Sequence, residues 1–182
     1  NPVPILKSAN LKTDLSYNTL LADLSAEIEN GKKIQALLNL KSLYLKNFVN
    51  GIGGRLSGKA SVDGNNFSDL NASIAASINS LDYSIKGSKS GINNVDLSLL
   101  ATVALGEKFS FQLANIKNLS LKIKNEEYKE ALGLVVNGKL AMNPKLDVNI
   151  DKLGLTPDLS RLIPILPLSL KEQIAPLKKT IG

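Results

Sequence analysis

Apolar and polar residues alternate along most of the chain with a period of two. Leu, Ala and Ile occupy every even position from Leu20 to Ile28, with Asp23, Ser25 and Glu27 between them. A second run from Ile34 to Leu40 keeps this alternation, and Asn-Gly joins the two runs. Such alternation is typical of half-buried β-strands, and Asn-Gly between two such runs favours a hairpin. The two runs therefore predict a pair of antiparallel strands.

The alternation continues to about residue 150. Further runs begin at Leu56, Ala72, Leu81, Val95, Phe109, Leu119, Leu132 and Leu146. Asp63-Gly64 and Asn137-Gly138 predict further turns, and Asn50-Gly51 predicts one within a glycine cluster. We expect roughly a dozen strands in meander order. Residues 1–150 are thus predicted to form a mainly β fold, a long curved antiparallel sheet that is groove-like, an open barrel or sandwich-like.

The pattern changes after Ile150. Thr156-Pro157 resembles a helix N-cap followed by proline at the first helical position, and Ser169 and Glu172 have the spacing of a capping box. Several prolines interrupt anything longer. Residues 151–182 therefore predict two short helices or turns packed against one end of the sheet, within a single domain that we expect to be a piece of a longer protein.

One segment, GGRLSGKAS at Gly53–Ser61, is close to a nucleotide-binding P-loop. The P-loop hydroxyl that would bind magnesium is replaced by Ala60, and the residues that follow cannot open a helix. Alternate positions of the segment differ in polarity: one set contains Leu56, Gly58 and Ala60, and the other contains Arg55 and Lys59. The segment is predicted to be a strand, with Gly58 marking a bulge or a close approach of another backbone.

Composition removes most catalytic chemistry. The 182 residues include neither Cys nor His, and only 4% are aromatic. Thiolate nucleophiles, imidazole bases and Cys- or His-based zinc sites are therefore excluded. Among the carboxylates, Glu126, Glu127 and Glu130 lie among lysines and predict a solvated turn, while Asp147 and Asp151 lack the glycine-centred loop of a calcium site. We expect no enzyme, no bound metal and no cofactor.

The formal net charge is +6, and it comes mostly from lysine because Arg55 and Arg161 are the two arginines. Nucleic-acid-binding domains concentrate arginine and interleave stacking aromatics, so no nucleic-acid partner is expected. Two interpretations stay open, a solvated lysine-rich surface and attraction to an anionic membrane. The sequence has no run of 18 apolar residues that would cross a membrane as a helix.

A sheet of such strands must hide its apolar face. It can close into a self-filled core, which periodicity alone favours, or it can curl into an aliphatic trough suited to acyl chains. Twelve positions are candidates for the lining of such a trough: Leu24, Ile28, Ile34, Leu38, Leu56, Val62, Ile74, Ile78, Leu97, Leu99, Val103 and Leu134.

Four stretches resemble the AsmA-like and TamB-like proteins of bacteria with two membranes. They are LKSANLKTDLSY, ADLSAEIENGKKIQALL, GGRLSGKASVDG and LVVNGKLAMNPKLDVNIDKLGL. The resemblance covers most of the chain as a degenerate strand pattern without a catalytic signature. The early YGGKL pattern is replaced here by IGGRL at Ile52–Leu56, and the family's membrane anchor is missing from this chain.

The resemblance implies a periplasmic β-groove, attached to the inner membrane through a segment outside this chain, that moves phospholipid towards the outer membrane or assists outer-membrane biogenesis. Phospholipid or another acyl-chain ligand and outer-membrane assembly proteins are the partners it implies. Two alternatives remain. One is a self-filled structural or adhesion domain of a surface protein. The other is a module that binds segments of outer-membrane proteins by β-augmentation.

Overall fold

The structure is a computed structural model, and it describes most of the chain. The described residues are 8–17, 20–29, 33–85, 88–106, 110–125, 127, 129–142, 145–166, 168 and 170–172.

Nine β-strands form the body of the described part. They are β1 (Ser8–Tyr17), β2 (Leu20–Glu29), β3 (Lys33–Tyr44), β4 (Ile52–Asn66), β5 (Asp69–Ile85), β6 (Ser88–Leu105), β7 (Phe111–Lys124), β8 (Glu130–Met142) and β9 (Leu146–Pro157). A short 3₁₀ helix at Leu45–Asn47 precedes β4, and the helix α1 (Leu159–Ile165) follows β9.

The nine strands make one antiparallel sheet in which the spatial order is the sequence order. Each strand pairs with its neighbours in the chain, and within the described residues β1 and β9 do not pair to close a barrel. The prediction of a mainly β fold built as a long, open, curved antiparallel sheet is confirmed. The sheet therefore has two edges and two faces.

The strands are longer and fewer than the pattern predicted. Ala72 to Ile78 and Leu81 to Ile85 belong to the single strand β5, with Ser80 between them at φ 52. The runs around Phe111 and Leu119 are both in β7, which has a register shift between Ile116 and Leu119. In the sequence, an irregularity that changes the parity of the apolar positions resembles the end of a strand. In the structure, the strand continues through it. The first residue of the run from Phe109 lies outside the described residues.

Two of the predicted turns are wrong. Asp63-Gly64 lies inside β4, and the chain turns three residues later at Phe67-Ser68. Asn137-Gly138 lies inside β8, where the register against β9 shifts. The turn at Asn50-Gly51 is confirmed, with Gly51 at φ 78. The predicted pair of strands around Asn30-Gly31 is also confirmed as β2 and β3, although these two residues are outside the described part.

The P-loop-like segment is a strand, as its parity predicted. Residues Gly53–Ser61 lie within β4, and Lys59 is exposed. Gly58 pairs with Leu40 on one side and with Ala76 on the other. A phosphate loop needs backbone N–H groups that are free to curl round the ligand, and here they belong to a ladder between two strands.

The C-terminal boundary lies later than predicted. β9 runs to Pro157, past residue 150, so Thr156-Pro157 ends a strand and does not begin a helix. The N-cap of α1 is Asp158, whose carboxylate accepts a hydrogen bond from the Arg161 N–H at 3.3 Å. Pro164 lies within α1, and the helix ends one residue later. Ser169, the first residue of the predicted capping box, is outside the described residues, but residues 168 and 170–172 are helical, so a second short helix follows α1.

The described part of the chain has little closed interior. Within the described residues, the buried hydrophobic side chains are Ala22, Ile34, Leu70, Ala101, Ala114, Ala131 and Ile165. Most of them are alanines, so the larger aliphatic side chains lie elsewhere, on a face of the sheet.

Candidate functional site

One face of the sheet is apolar from β2 to β9. Its side chains can be followed from strand to strand because cross-strand partners point to the same side of a sheet. The register joins one residue from each strand after β1 into a single transverse row: Leu24, Leu38, Ala60, Ile74, Leu99, Leu119, Val136 and Leu153. Every member of this row is aliphatic. We call the surface formed by this row and the parallel rows on the same side the apolar face.

A second row shows that the apolar face extends along the strands. It runs parallel to the first, and its members are again aliphatic or glycine: Leu40, Gly58, Ala76, Leu97, Leu121, Leu134 and Leu155. On β2 the row continues with Ala22, which is the cross-strand partner of Leu40. The apolar face is therefore continuous in both directions.

The register places all twelve sequence-predicted positions on the apolar face. Ile34 is buried, with 7% of its surface exposed, whereas Leu38, Ile74 and Leu97 are 38%, 37% and 38% exposed. The remaining eight are half-buried. No second sheet packs on this face within the described residues, so these side chains remain partly open to solvent.

The sequence-based selection missed the part of the apolar face on β9. Five aliphatic side chains of this strand are 55–64% exposed: Leu146, Val148, Ile150, Leu153 and Leu155. Ile150 and Leu153 lie three residues apart, because the register against β8 shifts at this point and leaves Asp151 without a partner in the ladder. A search restricted to strict alternation ends at Ile150, whereas allowing one extra residue would have found Leu153 and Leu155.

The opposite face is mainly polar, although Leu37 and Leu100 lie on it and are 44% and 50% exposed. It carries a hydrogen-bonded network between β5, β6 and β7. Asn94 is 6% exposed, and its amide donates to Ser77 Oγ at 2.8 Å and to Asn79 Oδ1 at 3.1 Å. Ser77 in turn donates to Asp96, and Lys124 Nζ lies 2.7 Å from the second Asp96 oxygen. The network ties three strands together in one register.

This network lowers the pKa of the Asp96 carboxyl and keeps the group ionised. Partial burial by itself would raise the pKa of its carboxyl, but the hydrogen bonds from Lys124 and Ser77 outweigh that effect. The pKa of Asp96 therefore lies below its ordinary value of 3.8. The carboxylate is an ionised structural group, and this does not suit it to act as a proton donor near neutral pH.

The acidic turn between β7 and β8 is compensated by lysines, as predicted. Lys122 Nζ lies 2.9 Å from Glu130 Oε2, and Lys129 Nζ lies 2.6 Å from Glu127 Oε2. Glu126 is outside the described residues. Across the described part of the chain, no three acidic side chains come together in a way that could hold a metal ion.

Helix α1 lies across one end of the apolar face. The hydroxyls of Tyr83 and Ser90, which are cross-strand partners, both donate to the Ile165 carbonyl, at 3.1 and 2.6 Å. Tyr83 also pairs with Ile52 of β4, which keeps the parity of Leu56, so Tyr83 lies on the side of the apolar face. Ile165 is 6% exposed. α1 therefore covers this end, while the two long edges of the face stay uncovered within the described residues.

No family model, curated protein or solved structure matches this chain. Among the described residues, no helix is both long and apolar enough to span a membrane.

Proposed function

We propose that this chain is a non-enzymatic lipid-binding module whose apolar face receives the acyl chains of phospholipid. The observation that carries the proposal is the apolar face itself. It runs through consecutive strands of one sheet, and several of its large side chains are more than a third exposed. Soluble monomers rarely leave contiguous apolar patches of this extent uncovered, and those that do use them to bind something.

The chemistry of the apolar face favours an acyl chain over a polar ligand. Its two central rows contain only Leu, Ile, Val, Ala and Gly, so nothing in them requires a hydrogen bond. Moving a methylene group from water onto such a surface gains about 0.8 kcal/mol when burial is complete. A long acyl chain laid along the rows offers many such groups, whereas a polar ligand would lose hydrogen bonds to water without replacement.

The cellular setting of the proposal comes from the resemblance of the strand pattern to AsmA-like and TamB-like proteins. We place the module in the periplasm, attached to the inner membrane through a segment outside this chain. Its role there would be to pass phospholipid between the inner and outer membranes. The open sheet supports this proposal because a transport surface must let lipid enter and leave, which a self-filled core cannot do.

A charge placed at the centre of the apolar face tests the proposal. Leu99 lies between Ile74 and Leu119 in the central row. In Leu99→Asp the carboxylate can still reach water, so we expect the fold to survive with a loss of about 1 kcal/mol. Uptake of a fluorescent phospholipid from vesicles of phosphatidylethanolamine and phosphatidylglycerol should be abolished.

The matched control is Ser98→Asp, one residue away on the polar face. It should leave both the melting temperature and lipid uptake nearly unchanged. Global unfolding of Leu99→Asp would instead indicate a closed, self-filled core, as in a structural or adhesion domain. Equal uptake by the folded Leu99→Asp protein and the unsubstituted protein would refute lipid binding on this face.

A further inference from the structure

Strand β9 is an open edge with unusually exposed side chains. It pairs with β8 on one side, and no strand in the described part of the chain pairs with its other side. Eleven of its twelve residues are exposed, all but Gly154. An edge of this length presents unpaired backbone N–H and C=O groups, and its apolar side carries no charge to discourage pairing.

We propose that two copies of this chain associate through β9, edge to edge and antiparallel, about a twofold axis at Asp151 and Lys152. The two sheets would become one continuous sheet with a shared apolar face. This inference goes beyond the proposed function and does not depend on it, because it concerns the strand edge and requires no lipid.

The register of the pairing follows from the two faces of the strand. Cross-strand partners point to the same side of a sheet. A pairing that places apolar side chains opposite polar ones would therefore put the apolar side chains of one copy on the polar face of the other. When β9 pairs with itself over its whole length, Ile150 lies opposite Leu153 of the second copy, and Val148 lies opposite Leu155 of the second copy. All members of these pairs belong to the apolar face. The full-length antiparallel register therefore preserves both faces.

The charges favour the same register. Asp151 and Lys152 are adjacent residues at the irregularity of β9. Antiparallel pairing about this point places Asp151 of one copy opposite Lys152 of the other, twice by symmetry. Opposite charges across paired strands are favourable, and a twofold axis makes every such contact occur in duplicate.

Strand β1, the other edge of the sheet, fits β9 less well. Leu11 of β1 is 52% exposed, but the next residue on its apolar side is Thr13. A β1–β9 contact would also be head to tail, so a pair of copies would still have one free edge on each copy and could add further copies into a ring or a filament. The β9–β9 contact gives a closed dimer, because the β9 edge of each copy is occupied by the β9 edge of the other.

The chain has no Cys, so introduced cysteines give an unambiguous test of the pairing. Opposed residues in an antiparallel pair have Cα atoms about 4.5–5.5 Å apart, within the range of a disulfide. We expect a mixture of full-length Ile150→Cys and Leu153→Cys proteins to form a disulfide-linked heterodimer on mild oxidation. Each variant alone should give much less, since neither residue lies opposite itself.

The controls separate the other possible edges and registers. A mixture of Leu11→Cys and Ile150→Cys proteins measures head-to-tail contact, and it should give only collisional background. In sedimentation velocity, the unsubstituted chain should show a dimer that increases with concentration. Ile150→Lys should abolish this dimer, and Leu11→Lys, at the opposite edge, should not.

The inference is overturned if the chain stays monomeric over the whole concentration series. It is equally overturned if dimers form but the heterodimer yield from Ile150→Cys and Leu153→Cys proteins does not exceed the Leu11→Cys background. Neither result would affect lipid uptake by the monomer, so failure here is distinguishable from failure of the proposed function.

Discussion

Gly58 shows how a single residue fixes the spacing of two strands. A Cβ added at this position would lie 2.6 Å from the Ala75 carbonyl oxygen and 2.9 Å from the Ala76 Cα. Both neighbours belong to backbone, which cannot move aside as a flexible side chain could. Glycine is therefore required here because β4 and β5 approach closely.

We predict that Gly58→Ala destabilises the protein by about 1–3 kcal/mol through this overpacking. The midpoint of urea unfolding, followed by circular dichroism, measures the effect. Gly154→Ala is the control, because a Cβ there would meet its nearest neighbour at 4.0 Å. If the two variants unfold at the same urea concentration, the close approach at Gly58 does not contribute to stability.

Asp96 gives a second prediction at the residue scale. Its pKa is lower in the folded protein than the ordinary 3.8, because the hydrogen bonds from Lys124 and Ser77 outweigh the opposing effect of burial. A group with a depressed pKa adds stability above its unfolded pKa, and this stability is lost as the pH falls through the folded pKa.

Asp96→Asn should therefore lower the unfolding midpoint at about pH 7 and make less difference at about pH 3. Urea titrations of both proteins at the two pH values measure this. An equal difference at both values would mean that Asp96 acts through its shape or its hydrogen bonds and not through its charge.

At the scale of whole elements, the sequence predicted type and order well and predicted boundaries poorly. The alternation of apolar residues identified the antiparallel meander because strands that pair with their sequence neighbours need no long-range information. It misplaced Asp63-Gly64 and Asn137-Gly138, since a glycine that makes room for a neighbouring backbone has the same sequence signature as a glycine in a turn. For Gly138 that neighbour is the Asn149 carbonyl.

The candidate site was also predicted in part: its face was predicted correctly, but some of its residues were missed. All twelve proposed positions lie on one face, because parity along a strand determines the side on which each residue points. Leu153 and Leu155 were missed because the irregularity at Asp151 depends on the register with β8, which a single sequence does not display. The covering of one end by α1 was predicted in outline, but its cap at Asp158 was not.

Helix α1 supplies the prediction at the element scale. Asp158 accepts hydrogen bonds from the Arg161 N–H and, at 2.6 Å, from Ser160 Oγ. Asp158→Ala should loosen α1 and raise hydrogen exchange several-fold within residues 159–165, with little change in the melting temperature of the sheet. Leu159→Ala, at an exposed position of the same helix, should leave exchange nearly unchanged. Unchanged exchange in Asp158→Ala would show that α1 does not depend on its cap.

At the scale of the whole molecule, the feature that needs an explanation is the exposed surface. Each strand contacts chiefly the strands next to it in the chain, and none of the described elements covers the middle of the apolar face. Stability in such an array comes from the interfaces between neighbouring strands, as in repeat proteins, and requires no central core. A single-layer sheet can therefore remain folded while offering an aliphatic surface to a ligand.

The most direct measurement of the central claim is site-specific photo-crosslinking to phospholipid. Leu97 and Ser98 are adjacent in β6 and point to opposite faces, with Leu97 paired to Ala76 and Leu121 on the apolar face. With a photoreactive residue at each position in turn and vesicles of phosphatidylethanolamine and phosphatidylglycerol, we predict labelling of phospholipid from position 97 and none above background from position 98. Equal labelling from the two positions, or none from position 97, would contradict the account.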